Sequence, residues 1–204
     1  MSTVLKGITL SEYEERERTS EVKSEYYRGE IFAMAGGSAN HSLISTNVAS
    51  ELRQALKERP CRVFNSDLRI KVEESGLYTY PDVTVVCGPL EYDADVSQTV
   101  TNPIVLIEVL SDSTESYDRG TKASHYRRIS SLRELILISQ KEACIEVYLR
   151  QADDAWLLRD ARSLQDQIRL ESLDVSLPIS EIYRGVTFDP DASSRSLSSG
   201  EAAP

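Results

Sequence analysis

Ile104-Val105-Leu106-Ile107-Glu108-Val109-Leu110 is an almost purely apolar run broken by one acid. A run of this kind reads as a central strand buried on both faces. Alternation places Glu108 with Leu106 and Leu110 on one face, and Ile107 and Val109 on the other. An ionised carboxylate in that setting is costly unless it is paired or holds a cation. The ordinary alternative is a buried Glu–Arg pair, or a strand end open to solvent. What favours the cation is the company Glu108 keeps.

Upstream, Phe64, Leu68, Ile70 and Val72 mark a strand, and Glu74-Ser75-Gly76 a turn. Tyr78 to Val86 forms another strand, interrupted at its start by Pro81. A helix is predicted from about Ser38 to Glu58, where Ile44, Val48, Leu52 and Leu56 repeat every four residues and Pro60 ends the pattern. Before it, Glu25 to Met34 reads as two short strands turning near Arg28-Gly29, and residues 9–20 as a helix capped by Thr9 or Ser11. Downstream, residues 118–131 read as helix, and Leu135–Ser139, Cys144–Arg150 and Ala155–Asp160 as strands. The order predicts an α/β fold: a mixed β-sheet flanked by α-helices, with 104–110 at its centre.

A chain of 204 residues and 22.8 kDa suits one domain, read as residues 1–188. The Ser-, Ala- and acid-rich stretch 189–204 is expected to be a disordered tail. No apolar run approaches the roughly 20 residues of a membrane span, and Met1 to Tyr13 lacks the apolar segment of a signal peptide. Cys61, Cys87 and Cys144 are widely spaced, with only His41 and His125 to accompany them. That argues against structural zinc, and three scattered thiols suit a reducing cytoplasm. The formal net charge is −10. Nucleic-acid binders usually carry a basic footprint, so any DNA binding is expected to be weak or partner-assisted.

Asp82 follows Pro81, 26 residues before Glu108, so two neighbouring strands could bring both carboxylates to one spot. Lys122 lies 14 residues after Glu108, in the one clearly basic segment, where helical spacing puts Arg119, Lys122, His125 and Tyr126 on a common face. Arg127 and Arg128 read as a solvated face. Glu30, in Arg28-Gly29-Glu30-Ile31, is either a solvent-side hairpin charge or a third acid. Carboxylates hold Mg²⁺ (or Mn²⁺), a hard cation that lowers the pKa of its water and polarises a phosphoryl oxygen. A lysine alongside orients the water or stabilises developing charge. Asp82 and Glu108, if close and without a cation, should raise at least one pKa by repulsion.

These residues resemble the PD-(D/E)XK nuclease superfamily, and more closely its Uma2 family of restriction-endonuclease-like proteins. The likeness runs over about residues 8–188, through SEYYRGEIFAMAGGSANHSLI, YPDVTVV, IVLIEVLSDSTESYDRGTKASHYRRI and LRELILIS, in matching order and spacing. It implies a restriction-endonuclease-like core. It also implies metal ligation by Asp82, Glu108 and the backbone carbonyl of Val109, with Glu30 at the family's N-terminal Gly-Glu position and Lys122 as the site lysine. His41 matches a recurring histidine, for which a capping or packing role competes with catalysis. The superfamily's usual lysine stands two residues after the second acid. Leu110 occupies that place, so Lys122 must reach in from the helix, with Lys71 as a rival.

The reading is a Mg²⁺-dependent DNA endonuclease, paired as a homodimer by family analogy. The alternative is a catalytically inactive nuclease-fold module that binds nucleic acid or a protein. Convergence of Lys122 on the two acids discriminates between them.

Overall fold

The computed structural model describes residues 4–34 and 36–188, so the expected tail at 189–204 lies outside the described residues. In chain order the elements are β1 (Val4–Lys6), α1 (Leu10–Thr19), β2 (Ser24–Tyr27), β3 (Glu30–Ala33), α2 (Ala39–Ala55), β4 (Cys61–Asn65), β5 (Arg69–Val72), β6 (Leu77–Thr79), β7 (Val83–Cys87), β8 (Thr99–Val100) and β9 (Val105–Leu110). They continue with α3 (Glu115–Tyr117), a π-helical turn (Asp118–Lys122), α4 (Ala123–Tyr126), β10 (Glu134–Ser139), β11 (Ile145–Arg150), β12 (Trp156–Ala161), β13 (Gln167–Leu170), β14 (Val175–Pro178) and α5 (Ile179–Ile182).

The α/β reading holds, but the strands form two sheets rather than one. The first runs β1-β3-β2-β6-β5-β8, the second β12-β11-β10-β9-β7-β4, and β13-β14 is a separate hairpin. Both large sheets are mixed: β5 pairs parallel with β8, and β9 with β10. All six residues of β9 are buried, and β7 and β10 flank it, as expected for the central strand.

Two stretches expected to be single strands each cross between the sheets. After β4 the chain turns at Asn65–Leu68, where Asn65 accepts the Asp67 amide at 3.1 Å, and re-enters the other sheet as β5. After β6, Tyr80-Pro81 ends one sheet and β7 begins in the other. Proline lacks the ladder donor and restricts the residue before it, so pairing stops there. Asp82 therefore stands where the sheets meet.

Three apolar layers follow. Tyr13 of α1, with Tyr26, Tyr78 and Ile31, covers the outer face of the first sheet. Ile44, Val48 and Leu52 of α2 cover the outer face of the second, joined by Ile168, Leu170, Val175, Leu177 and Ile179 of the C-terminal hairpin and α5. Between the sheets lie Ile70, Val72 and Leu77 against Leu106, Leu110, Leu135 and Leu137, with Ala123, Tyr126 and Ile129 wedged among them. The helix termini obey simple capping rules. Thr9 and Glu12 form a reciprocal capping box on α1, and the Ser38 hydroxyl accepts the His41 amide at the start of α2.

Cys61 and Cys87 are disulfide-bonded, which revises the reading of three separate thiols. Their separation of 26 residues conceals that β4 and β7 are neighbours with these two residues directly opposed. A cytoplasmic location rested on free thiols, and this bond removes that ground. Among the described residues no helix is long and apolar enough to cross a membrane.

Candidate active site

Glu108 lies on the inter-sheet face of β9, as its alternation with Leu106 and Leu110 predicted. Its side chain is buried, and Tyr126 of α4 donates a hydrogen bond to its Oε1 at 2.6 Å. Burial pushes the Glu108 carboxyl up to about 8, against the pull of the Lys122 ammonium, while Asp118 and Asp82 push the same way as burial. Repulsion between carboxylates was the expected cause. It contributes, but desolvation is the larger effect.

Lys122 reaches this point from the π-helical turn. Its Nζ stands 2.9 Å from Glu108 Oε1, 3.2 Å from Glu25 Oε1 and 3.7 Å from Asp118 Oδ1. Burial alone would depress its pKa, but Glu108 and Glu25 override that and raise it, so Lys122 is an ammonium across the physiological range. The wider turn, in which the Ala123 amide donates to the Asp118 carbonyl, lets Asp118 and Lys122 point inward together. Lys122, His125 and Tyr126 share the buried side, as helical spacing predicted. Arg119 does not join them: it pairs with Glu115 at 2.9 Å and Glu146 at 2.5 Å.

Asp82 precedes β7, one step beyond the Val83–Ile107 pair, which brings it opposite Glu108. Its Oδ2 accepts the Val109 amide at 2.7 Å and lies 3.2 Å from His41 Nε2. Burial lowers the His41 pKa, but the hydrogen bond and charge of Asp82 prevail and raise it, so His41 carries part of a positive charge near neutrality. The side chains of Asp82 and His41 are 14% and 19% exposed, against 5–6% for Glu108 and Lys122, so they form the open edge of the cluster.

Glu30 and Lys71 lie apart from the cluster. Glu30 pairs with Lys6 across β1–β3 at 2.8 Å. The hairpin register puts Glu25, Tyr27 and Glu30 on one face, and Glu25 is the acid that reaches inward because it stands farther from the turn. The Val109 N–H donates to Asp82, and the carbonyl implied as a metal ligand is a separate group. Lys71 faces the other side of β5 from Ile70 and Val72, where it pairs with Asp93 at 2.5 Å, so it is no rival to Lys122.

Glu25, Asp118, Tyr117 and Tyr126 were missed as site residues. Glu25 is held by Lys122, by the Thr79 hydroxyl at 2.5 Å and by the Tyr117 hydroxyl at 3.0 Å. Burial would raise its pKa, but these contacts together lower it, so Glu25 is an anion. For Asp118 burial prevails and raises the pKa. Strand alternation could have flagged Glu25. Nothing in sequence marks Tyr117.

Among the described residues no three His, Cys, Asp or Glu side chains form a ready cage for a metal ion. Mg²⁺ needs none, being commonly held by one or two carboxylates with water and substrate phosphate oxygens. Two carboxylates facing each other across β7 and β9, one forced towards neutrality by burial, are a donor set that a hard divalent cation fits.

Comparison with known proteins gives the family of the chain. The Uma2 family model, described as "putative restriction endonuclease", matches residues 10–180. An uncharacterised Synechocystis protein is 38% identical over 177 residues, covering 87% of this chain and 90% of its own length. A second from the same organism is 35% identical over 170 residues, covering 83% and 96%. A crystal structure from Anabaena variabilis, titled a "putative nuclease" of DUF820, superposes with a TM-score of 0.67 at 21% identity, covering 82% of this chain and 93% of the other. That last likeness speaks for the fold. The family match spans most of the chain, and the chain belongs to the Uma2 family.

Proposed function

We propose that this chain is a divalent-metal-dependent endonuclease that hydrolyses phosphodiester bonds in DNA. The observation carrying the proposal is the convergence of Lys122 on Glu108 at 2.9 Å, with Asp82 in register on the adjoining strand. Asp82 and Glu108 are the residues that would hold Mg²⁺ or Mn²⁺. When bound, the cation supplies an activated water and polarises the phosphoryl oxygen.

The remaining work belongs to the protein. Tyr126 occupies one Glu108 oxygen and fixes the carboxylate's rotation. Glu25 and Asp118 hold the Lys122 ammonium, so it is pre-positioned to meet charge developing on a phosphate without reorganisation. His41 and the Val109 amide orient Asp82. A homodimer would bring two such sites to the two strands of a duplex, and a monomer by light scattering at micromolar concentration counts against it.

The net charge of −10 favours a second reading, an inactive module that binds nucleic acid or protein. Cleavage of supercoiled plasmid separates the two. The native chain is expected to nick only with Mg²⁺ or Mn²⁺, and Asp82→Ala, Glu108→Ala and Lys122→Ala to abolish nicking. Activity surviving all three substitutions, or absent from the native chain with either metal, overturns the proposal.

A further inference from the structure

Beside the candidate site, two arginines gather around an aromatic ring and a histidine, on the hairpin face that also carries Glu25 and Glu30. Tyr27 is the centre. The His125 ring stands against it edge-on at 4.8 Å, and the Arg28 guanidinium lies 5.2 Å from its ring centre. Arg128 follows His125 by one helical turn. Arg28 is exposed, and among the described residues it makes no ion pair. Arg128 meets only Glu74, at 3.4 Å, in a pair where both side chains are about half exposed or more. Such surface pairs are worth little and exchange readily.

His125 itself is buried, and no hydrogen bond reaches its Nδ1. Burial holds its pKa down, and Arg128 and Arg28 push it further in the same direction. Arg28 and Arg128 thus flank one buried ring, Arg28 with no ion pair among the described residues and Arg128 with a single exposed one. In a chain of net charge −10 this is an unusual place to leave positive charge.

We propose that Arg28 and Arg128, set around Tyr27 and His125, seat a backbone phosphate about two nucleotides along the nucleic-acid strand from the one at the candidate site. This rests on the nuclease reading above. Spacing supports it. Tyr27 is two residues beyond Glu25 on β2 and on the same face, about 7 Å along the strand. Arg128 lies in the turn that follows α4, three residues after His125. Nucleotides of one strand rise about 3.4 Å each along a duplex, so the offset of Tyr27 from Glu25 puts the cluster about two nucleotides from the chemistry. Arg28, at φ +48, stands in the exposed turn of the β2–β3 hairpin with its guanidinium over the Tyr27 ring. Both arginines position substrate and touch none of the reacting groups.

The test is binding of a short fluorescent DNA duplex to the full chain in Ca²⁺, titrated over a range of salt. Arg28→Ala/Arg128→Ala is compared with the native chain and with Arg16→Ala/Arg18→Ala on α1. Each lost phosphate contact lowers the slope of log affinity against log salt by about 0.9, so the site variant, which loses one phosphate, should lose a slope of about 0.9 while the α1 variant keeps the native slope. In plasmid nicking the same variant should show a raised KM with kcat nearly unchanged. A native slope and affinity in Arg28→Ala/Arg128→Ala overturns this inference and leaves the nuclease reading intact. A native chain that neither binds nor nicks DNA removes the nuclease reading, and this inference with it.

Discussion

Glu108→Gln should leave a folded protein that no longer cleaves DNA. The loss of nicking is expected to be at least about a hundredfold, because the amide keeps the shape but cannot supply an anionic ligand. Stability should move the other way. Glu108 ordinarily titrates at 4.5, and burial raises it to about 8 in the folded chain. Between those values the unfolded chain has released a proton that the folded chain still holds. The native protein therefore loses stability as pH rises through that window. Glutamine has no proton to lose, so the variant should match the native chain near pH 4, gain on it through pH 5–8, and stay ahead above pH 8 by a few kcal/mol. Urea denaturation at several pH values measures this directly. A variant less stable than the native chain at pH 8 would mean that Glu108 is ionised and held by Lys122 in the folded state.

The same protonation has a consequence for metal binding. A cation taken up by Asp82 and Glu108 needs the ionised carboxylate. Binding at pH 7 should release about one proton, and the release should fade above pH 8. Calorimetry in two buffers of different ionisation enthalpy reads the proton count. Equal enthalpies at pH 7 in both buffers would contradict it.

What could be read from the sequence follows from how local each signal is. The β9 strand, the α2 stripe and the hairpin at Arg28-Gly29 each announce themselves within a few residues, and all are present. The division into two sheets is not local. It depends on the chain crossing between layers at Asn65–Leu68 and at Pro81, and an unbroken run of period-two residues looks the same whether or not its ends lie in one sheet. The C-terminal hairpin was not anticipated: Ile168, Leu170, Val175 and Leu177 alternate inward, but in short strands set among charged residues. Asp82 and Glu108 stand out in the sequence because they border or interrupt apolar strands, and Lys122 because it lies in the one basic segment. Glu25 and Glu30 could not be separated by pattern, because the hairpin register puts both on one face. Only the third dimension shows that Glu30 meets Lys6 on the neighbouring edge strand while Glu25 meets Lys122. The Cys61–Cys87 bond was hidden for the same reason as the crossovers.

Lys122→Met should be the most damaging single change to stability. The lysine is the cation shared by the buried acids Glu25, Glu108 and Asp118. Removing one partner of a buried ion pair typically costs about 3–5 kcal/mol, because the other charge is left in a poor solvent. Glu108 can escape by staying protonated, since burial already holds it near 8. Glu25 cannot do so at neutral pH without cost: its pKa is lowered in the native chain, with Lys122 the largest of the favourable contacts opposing burial. A lowered folded pKa contributes stability above the ordinary value of 4.5 that disappears as pH falls through the folded pKa. Without Lys122 that contribution is gone and burial raises the Glu25 pKa instead. The deficit of the variant should be largest at pH 7–8 and shrink only as pH falls through the lowered Glu25 pKa of the native chain, where Glu25 becomes neutral in both chains. Adding Glu25→Gln to Lys122→Met should recover part of the loss at pH 7, giving a coupling of about 1–3 kcal/mol in the double-mutant cycle. Denaturant unfolding of the four proteins supplies the numbers. A Lys122→Met chain as stable as the native one at pH 8, or a cycle with no coupling to Glu25, would show that the ammonium does not sit among these carboxylates.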